Sequence, residues 1–359
     1  MKIKHKIGVT TKGSKTIWSN GLNQNSYFFI KLLQKMGYDV DAIATVLDVE
    51  DAQFIGLDRV VLTKDSIKSY SIIFEVASML DEAAMDICRK NNIKVVSINY
   101  GSFLFYLMEG LLYKGETPTA VHVEGRDVLI SPHYNFGKEF LKNVTGQNIM
   151  TIPYIWEPWF IDGTLLKESK INEKFSKEIN KKNVVSLEPN ISIAKTCIVP
   201  LVIAEGLELS DSSKIDSMTL FGTKHLNERT TFNKLYSNTE LYRSGKLVIE
   251  NRYSISGLFN TKRIGTIVSN HFYNDLNYVT LEALYLGFPI IHNSEFCKEG
   301  GYYYDGFNTK LGTELLDRAI STDDHLSDEK IKNAKEIIYG YSINNPSTQR
   351  AYRELIKNL

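Results

Sequence analysis

The stretch from His271 to Gly306 holds the side chains best spaced for chemistry. Glu282 stands inside a short run, Tyr278 to Leu286, read as an amphipathic helix. Gly287 stops that run where helices commonly end. Phe288-Pro289-Ile290-Ile291 then reads as a buried strand, with Asn293 at its carboxyl end. In an open α/β sheet that end is where ligands sit. A carboxylate in this position accepts two hydroxyls, as a sugar ring or a ribose presents them, and a neighbouring helix N-terminus favours phosphate. The plainer reading is an acid that only caps its helix.

Elements of the right kind stand before and after this stretch. Lys6 to Thr10 is an apolar strand. A polar loop ending in Trp18 to Asn25 follows, then a helix from Ser26 to Met36 and a strand from Asp39 to Val46. Gly21 in the loop permits close backbone approach to a ligand, and Asn23 offers amide contacts; both residues equally suit a plain helix cap. Strands at Ser71–Val76, Ile93–Ile98, Asp127–Ser131 and Asn148–Pro153 alternate with helices at Glu82–Asn91 and Phe103–Tyr113. Such alternation predicts a parallel sheet with helices on both faces. Residues 162–182, with interleaved lysines and acids, read as a linker with a frayed helix and a solvated face. A second set of strands begins at Asn183, with Glu188-Pro189-Asn190 as a turn and Ser192 to Leu207 as a helix carrying Lys195. Two helices close the chain, capped by Ser327 and by Asn345 before Pro346.

These elements set the expected domains. Residues 1–161 form an N-terminal Rossmann-like domain on the acceptor side, 162–182 a linker, and 183–340 a C-terminal Rossmann-like domain for the donor nucleotide. Residues 341–359 form a helix packing back on the first domain. The 359-residue length suits two domains, and 43% hydrophobic with 11% aromatic content fills their cores. Lys plus Arg and Asp plus Glu are 42 each, so no bulk charge draws the chain to nucleic acid. Cys88, Cys197 and Cys297 have no metal-site or disulfide spacing, which points to no metal and a reducing cytoplasm. The amino terminus is too short in apolar residues for a signal peptide, and no run approaches the roughly 18 apolar residues of a membrane span.

The second half resembles the donor-binding lobe of GT-B glycosyltransferases. Leu281-Glu282-Ala283 with Gly287-Phe288-Pro289-Ile290-Ile291 matches the latter part of that family's signature. The resemblance gives Glu282 the ribose of a nucleotide donor. The signature's first acid falls at Asn274, and its glycine-rich turn is replaced by Asp275-Leu276-Asn277-Tyr278. A narrower resemblance spans nearly the whole chain: Trp18 to Asn25, Phe74-Glu75-Val76, Tyr100 to Glu109, Ile155 to Pro158, Glu188-Pro189-Asn190 with Lys195, Asn277 to Asn293, and Gly300 to Phe307. Together they look like a bacterial and phage GT-B family long of unknown function, similar to enzymes that glycosylate 5-hydroxymethylcytosine in phage DNA.

The resemblance implies an α/β chain of GT-B type, two Rossmann-like domains facing across a cleft, with C-terminal helices. It implies a transferase moving arabinose or glucose from a UDP-sugar donor to a hydroxyl, in first place 5-hydroxymethylcytosine in double-stranded DNA. A phage-encoded chain would work in the host cytoplasm. The nucleotide sugar is substrate, and no cofactor is called for. A glycan or small-molecule acceptor is the alternative, and a non-catalytic nucleotide-sugar or nucleic-acid binding protein is the alternative of another class. Donor binding would fall to Glu282, Asn274, Asn277 and Tyr278, to Gly21 and Asn23, and to the cations Lys195, Arg252 and Lys224. Such cations neutralise a leaving diphosphate; each also reads as an ordinary surface charge. Glu75, Glu109 and His133 are the candidates for a general base, with a buried, hydrogen-bonded Glu75 as the other reading. Gly300 to Tyr304 reads either as a loop near the donor sugar or as an aromatic rim packing the lobes. His122 and His271 read as ordinary histidines.

Overall fold

The computed structural model describes residues 6–12, 21–45, 53–114, 124–162, 179–259 and 263–359. The chain divides into two units, one of Met1–Glu157 with Gly340–Leu359 and the other of Pro158–Tyr339.

The first unit is built on short strands whose buried faces are almost wholly apolar: β1 (Lys6–Thr11), β2 (Asp39–Ala44), β3 (Gln53–Phe54), β4 (Leu57–Val61), β5 (Ile72–Glu75), β6 (Lys94–Asn99), β7 (Asp127–Ile130) and β8 (Ile149–Thr151). Their order in the sheet is β3-β4-β2-β1-β5-β6-β7-β8. All neighbours pair in parallel except β3 with β4. Connections leave β1 in one direction and reach β5 in the other, so the order reverses between those two strands. That is the topological switch point of a doubly wound sheet. Phe29 and Phe74 meet edge to face with centroids 4.9 Å apart, and Tyr352 from the last helix tilts against Phe29 at 5.6 Å. Tyr352 also donates to the Pro153 carbonyl at 2.8 Å. Glu157 accepts from Ser342 Oγ at 2.6 Å and from the Ile343 amide at 2.8 Å. This is what the Trp156-Glu157 motif does: it fastens residues 340–359 to the first unit, with Ile343, Tyr352 and Ile356 in its core.

The second unit repeats the plan with β9 (Asn183–Ser186), β10 (Ser217–Leu220), β11 (Leu247–Ile249), β12 (Thr266–Val268), β13 (Ile290–His292) and β14 (Tyr302–Tyr303). The order β11-β10-β9-β12-β13-β14 is parallel throughout, with the reversal between β9 and β12. Helices Ile198–Ser210 and Thr309–Ser321 pack over its core, where Gly312 lets Ile203 come close.

Several expectations change. The helix expected from Ser26 starts at Gly21 and runs to Lys35, so Gly21 to Asn25 are its first turns, not a loop. Trp18 to Asn20 lie outside the described residues, as do His122 and residues 163–178 of the expected linker. The helix expected over Ser192–Leu207 spans Ile198–Ser210. The reason is local: Asn190 takes a left-handed φ of 55°, and its side-chain oxygen accepts the Cys197 amide at 2.7 Å. That contact folds residues 190–197 into a loop and delays the helix. Gly300 to Tyr304 is a strand in part and not a loop throughout. Tyr302 and Tyr303 form edge strand β14, and Tyr304 is fully buried.

Candidate functional site

The carboxyl ends of β9 and β12 meet at the second unit's switch point. β9 runs on into Leu187 and Glu188, and β12 into Ser269, Asn270 and His271. Ser269 Oγ donates to Glu188 Oε1 at 2.5 Å and lies 3.0 Å from His271 Nε2. Asn277 Nδ2 donates to the same His271 nitrogen at 2.8 Å. Asn293 fixes the histidine backbone, its Oδ1 accepting the His271 amide and its Nδ2 donating to the His271 carbonyl, both at 2.8 Å. Asn277 also caps the helix that carries Glu282, accepting the Val279 amide at 3.3 Å, and the same oxygen accepts from Lys195 Nζ at 3.4 Å. A continuous polar chain therefore runs from Glu188 through Ser269, His271 and Asn277 to Lys195.

The backbone around it allows no other residue in places. Gly222, after β10, has φ 69°, and a Cβ there would stand 2.8 Å from the Glu188 carbonyl oxygen. Asn190 Nδ2 donates to that same carbonyl at 2.6 Å. Gly287 ends the Tyr278–Leu286 helix with φ 75°.

Two acids and two cations share this place. Glu282 and Glu188 are both buried, and desolvation pushes each carboxyl up to about 7. Arg252 opposes that rise at Glu282, and Ser269 and Lys195 oppose it at Glu188. Burial pulls the Lys195 ammonium below its ordinary value, Glu188 pulls it back, and Arg252 adds repulsion. The Tyr278–Leu286 helix is buried on most of its surface and not amphipathic as read from the sequence, because Thr280, Leu281, Ala283, Leu284 and Leu286 are covered as well as Glu282. Among the described residues no group hydrogen-bonds the Glu282 carboxylate. Buried acids poised near neutrality beside partly exposed cations can take hydroxyls and an anion together.

The structure thus brings Glu282, Asn277, Lys195 and Arg252 into one field of charge. Lys195 reaches it from a loop, not from a helix. Asn274 and Tyr278 flank Asn277 and are half-buried. The turn that replaces the glycine-rich one is anchored by Asp275, whose carboxylate accepts the Glu295 amide at 3.0 Å. Lys224 is exposed at the start of a separate turn, its amide on the Glu250 carbonyl at 3.3 Å, and enters none of these contacts.

The first unit gathers the remaining candidates less tightly. Asn23 is buried in the first turn of the helix after β1, with its side-chain oxygen unpartnered among the described residues. Gly21 begins that helix. Glu109 ends the helix Phe103–Glu109 and is buried. His133 is buried in the turn after β7, its ring 3.9 Å from that of Tyr134 and 5.8 Å from that of Tyr154. Glu75 is committed elsewhere: Oε2 accepts from Arg126 Nε at 2.8 Å and Oε1 from the Leu80 amide at 2.7 Å. Both partners of this ion pair are buried, so both Glu75 carboxylate oxygens are bonded within the protein. Among the described residues no three His, Cys, Asp or Glu gather as a metal site, and no helix is long and apolar enough to cross a membrane.

Sequence reading missed Glu188, Ser269 and the role of His271. Glu188 passed as part of a turn; its signal was an acid directly after a buried strand.

Comparison with solved structures gives the fold a name. The chain is similar over 99% of its length to a glycosyltransferase of Rickettsia africae ESF-5, with TM-score 0.61, 14% identity and 98% of that chain covered. HepE of Anabaena, solved with UDP-glucose, gives TM-score 0.57 and 10% identity, over 99% of this chain and 100% of that one. The pneumococcal O-GlcNAc transferase GtfA, solved with UDP and GlcNAc, gives 0.58 and 7%, over 99% of each chain. The fold is the GT-B fold, two parallel-sheet Rossmann-like units with C-terminal helices. No curated protein sequence matches the chain. A family model does match, over residues 7–356, and the chain belongs to the family described as "Protein of unknown function (DUF2827)".

Proposed function

We propose that the chain is a glycosyltransferase that binds a UDP-sugar in the crevice at the ends of β9 and β12. The observation that carries this reading is that the Arg252 charge acts on both Glu282 and Lys195, beside the second unit's switch point, where Asn277 accepts from Lys195 and caps the Glu282 helix. Glu282 accepts the two ribose hydroxyls. Lys195 and Arg252 meet the diphosphate and stabilise the charge that grows on it as the bond from sugar C1 to the phosphate oxygen breaks. The electron pair leaves with UDP, the acceptor oxygen bonds to C1, and the acceptor proton must be taken up. Glu109 and His133 are the candidates for that proton. Two solved structures of this fold support a nucleotide-sugar donor, since HepE was solved with UDP-glucose and GtfA with UDP and GlcNAc; the Rickettsia protein is named a glycosyltransferase.

We assign the acceptor hydroxyl to 5-hydroxymethylcytosine in DNA and the sugar to arabinose or glucose. Motif similarity supports this. The balance of 42 basic against 42 acidic residues favours a second reading, an uncharged glycan or small acceptor. The test incubates the protein with UDP-sugars and hydroxymethylated DNA, with unmodified DNA as control. Mass gain on the modified DNA alone supports the assignment. UDP release without DNA mass gain moves the acceptor to the second reading. No release with any donor or acceptor leaves a binding protein and overturns the enzyme reading.

A further inference from the structure

Beneath the cations lies an acid for which the reaction above has no use. Glu188 is fully buried. One oxygen accepts from Ser269, and the other, Oε2, has no partner among the described residues. A buried carboxylate with a bare oxygen is costly unless a counter-charge stands near or a proton neutralises it. The groups facing it are few. His271 Nε2 stands 3.7 Å from Oε1, and its single lone pair is turned to the Asn277 amide. The Cys197 thiol is pushed up to about 12 by burial and stays neutral. Tyr304 spends its hydroxyl proton on the Ser269 carbonyl at 3.1 Å. Among the described residues Lys195 is the cation acting on Glu188, and its ammonium is held by Asn277 at the far end of the polar chain.

We propose that Glu188 is a positioning residue that holds Lys195 as its counter-charge in the empty site, and that binding of a donor diphosphate to Lys195 is coupled to uptake of one proton by Glu188. This rests on the donor-site reading of the same crevice. When the ammonium turns to the phosphate, the buried carboxylate loses its balance. A proton from solvent on Oε2, the oxygen without a partner among the described residues, restores it, while Ser269 Oγ goes on donating to Oε1. The ionic state of Glu188 thereby decides whether Lys195 is directed at Asn277 or released to the ligand.

The probe is UDP-glucose, whose diphosphate is esterified at both ends and does not titrate near neutrality. Calorimetric titration of the full chain in phosphate and in Tris near pH 7 reads the protons exchanged, because the two buffers differ in ionisation heat. The expected result is net uptake in the wild type, with affinity rising by up to about tenfold for each pH unit lowered. E188Q removes the uptake and flattens that profile, while E282Q weakens binding and keeps the uptake. K195M removes the uptake by a second route, should E188Q fail to fold. Uptake unchanged in E188Q overturns the inference and leaves the donor site standing. Buffer-independent heats in the wild type do the same. If neither UDP-glucose nor UDP binds the wild type, the donor-site reading falls, and this inference with it.

Discussion

The two switch points have the same topology and opposite finish. In the first unit, the ends of β1 and β5 are stitched shut. Thr10 Oγ1 donates to the Ser78 carbonyl at 2.7 Å and accepts the Val76 amide at 2.9 Å. Glu75 is closed by Arg126 and the Leu80 amide. In the second unit, Glu188 follows β9 and Glu282 lies in the helix after β12; among the described residues, one Glu188 oxygen has no partner and no group hydrogen-bonds the Glu282 carboxylate. The teaching is that burial alone does not mark a binding acid. Glu75 and Glu188 are both hidden, at the ends of strands that flank the two switch points. What separates them is whether the protein itself completes the carboxylate's hydrogen bonds. An acid so completed stabilises the fold; an acid left incomplete is an invitation to a ligand, at a cost in stability.

The comparison can be broken most sharply at Arg126. Arg126→Ala strands a buried Glu75 and should cost about 3–5 kcal/mol of unfolding free energy, read by urea denaturation. A loss under about 1 kcal/mol would show that Glu75 is not held as described. In the second unit, Glu282→Ala should weaken UDP binding by about 2–3 kcal/mol, the worth of charged hydrogen bonds to two hydroxyls, without lowering the unfolding midpoint at neutral pH. Unchanged affinity would remove Glu282 from the site.

The open acids also predict a pH dependence. Glu188 and Glu282 have folded-state values raised to about 7 from an ordinary 4.5. For an acid raised on folding, the stabilising contribution is complete below its unfolded value and is lost as pH climbs through its folded value. Each pKa unit is worth about 1.4 kcal/mol, so each of these acids should remove up to about 3 kcal/mol between pH 4.5 and pH 8. Thermal midpoints measured across that window should fall more steeply in the wild type than in Glu188→Gln. Parallel curves would count against Glu188 as a raised acid. The smallest effect is expected at the cap. Asn277→Ala should cost about 1 kcal/mol of stability through loss of the bond to the Val279 amide, with a further drop in UDP affinity because Lys195 loses its guide. Equal affinity would mean that Lys195 needs no positioning.

Local physics wrote much of this into the sequence. Short apolar strands alternating with helical runs dictate a parallel sheet, since only helix crossovers join parallel strands. Gly287 fixed the end of the Glu282 helix, because few other residues take its left-handed backbone. Asn345 and Pro346 marked the start of the last helix for equally local reasons: one accepts the Ser347 amide at 2.9 Å, and the other needs no amide partner. Glu282 was legible because it stands in a helical run just before Gly287 and a buried strand, where an open sheet holds its ligands.

What the sequence could not decide were pairings over long separations. Arg126 closing Glu75 joins residues 51 positions apart, and Ser269 meeting Glu188 joins residues 81 apart. No local pattern distinguishes one buried acid from the other. The start of the Lys195 loop turned on a single side chain, Asn190, whose bond to the Cys197 amide outweighed a helical pattern that begins at Ser192. Residue types and periodicity therefore determined the two sheets and nominated Glu75 and Glu282. Only the strand order, by placing β9 beside β12 and β5 beside β1, decided which acid was sealed and which was left open.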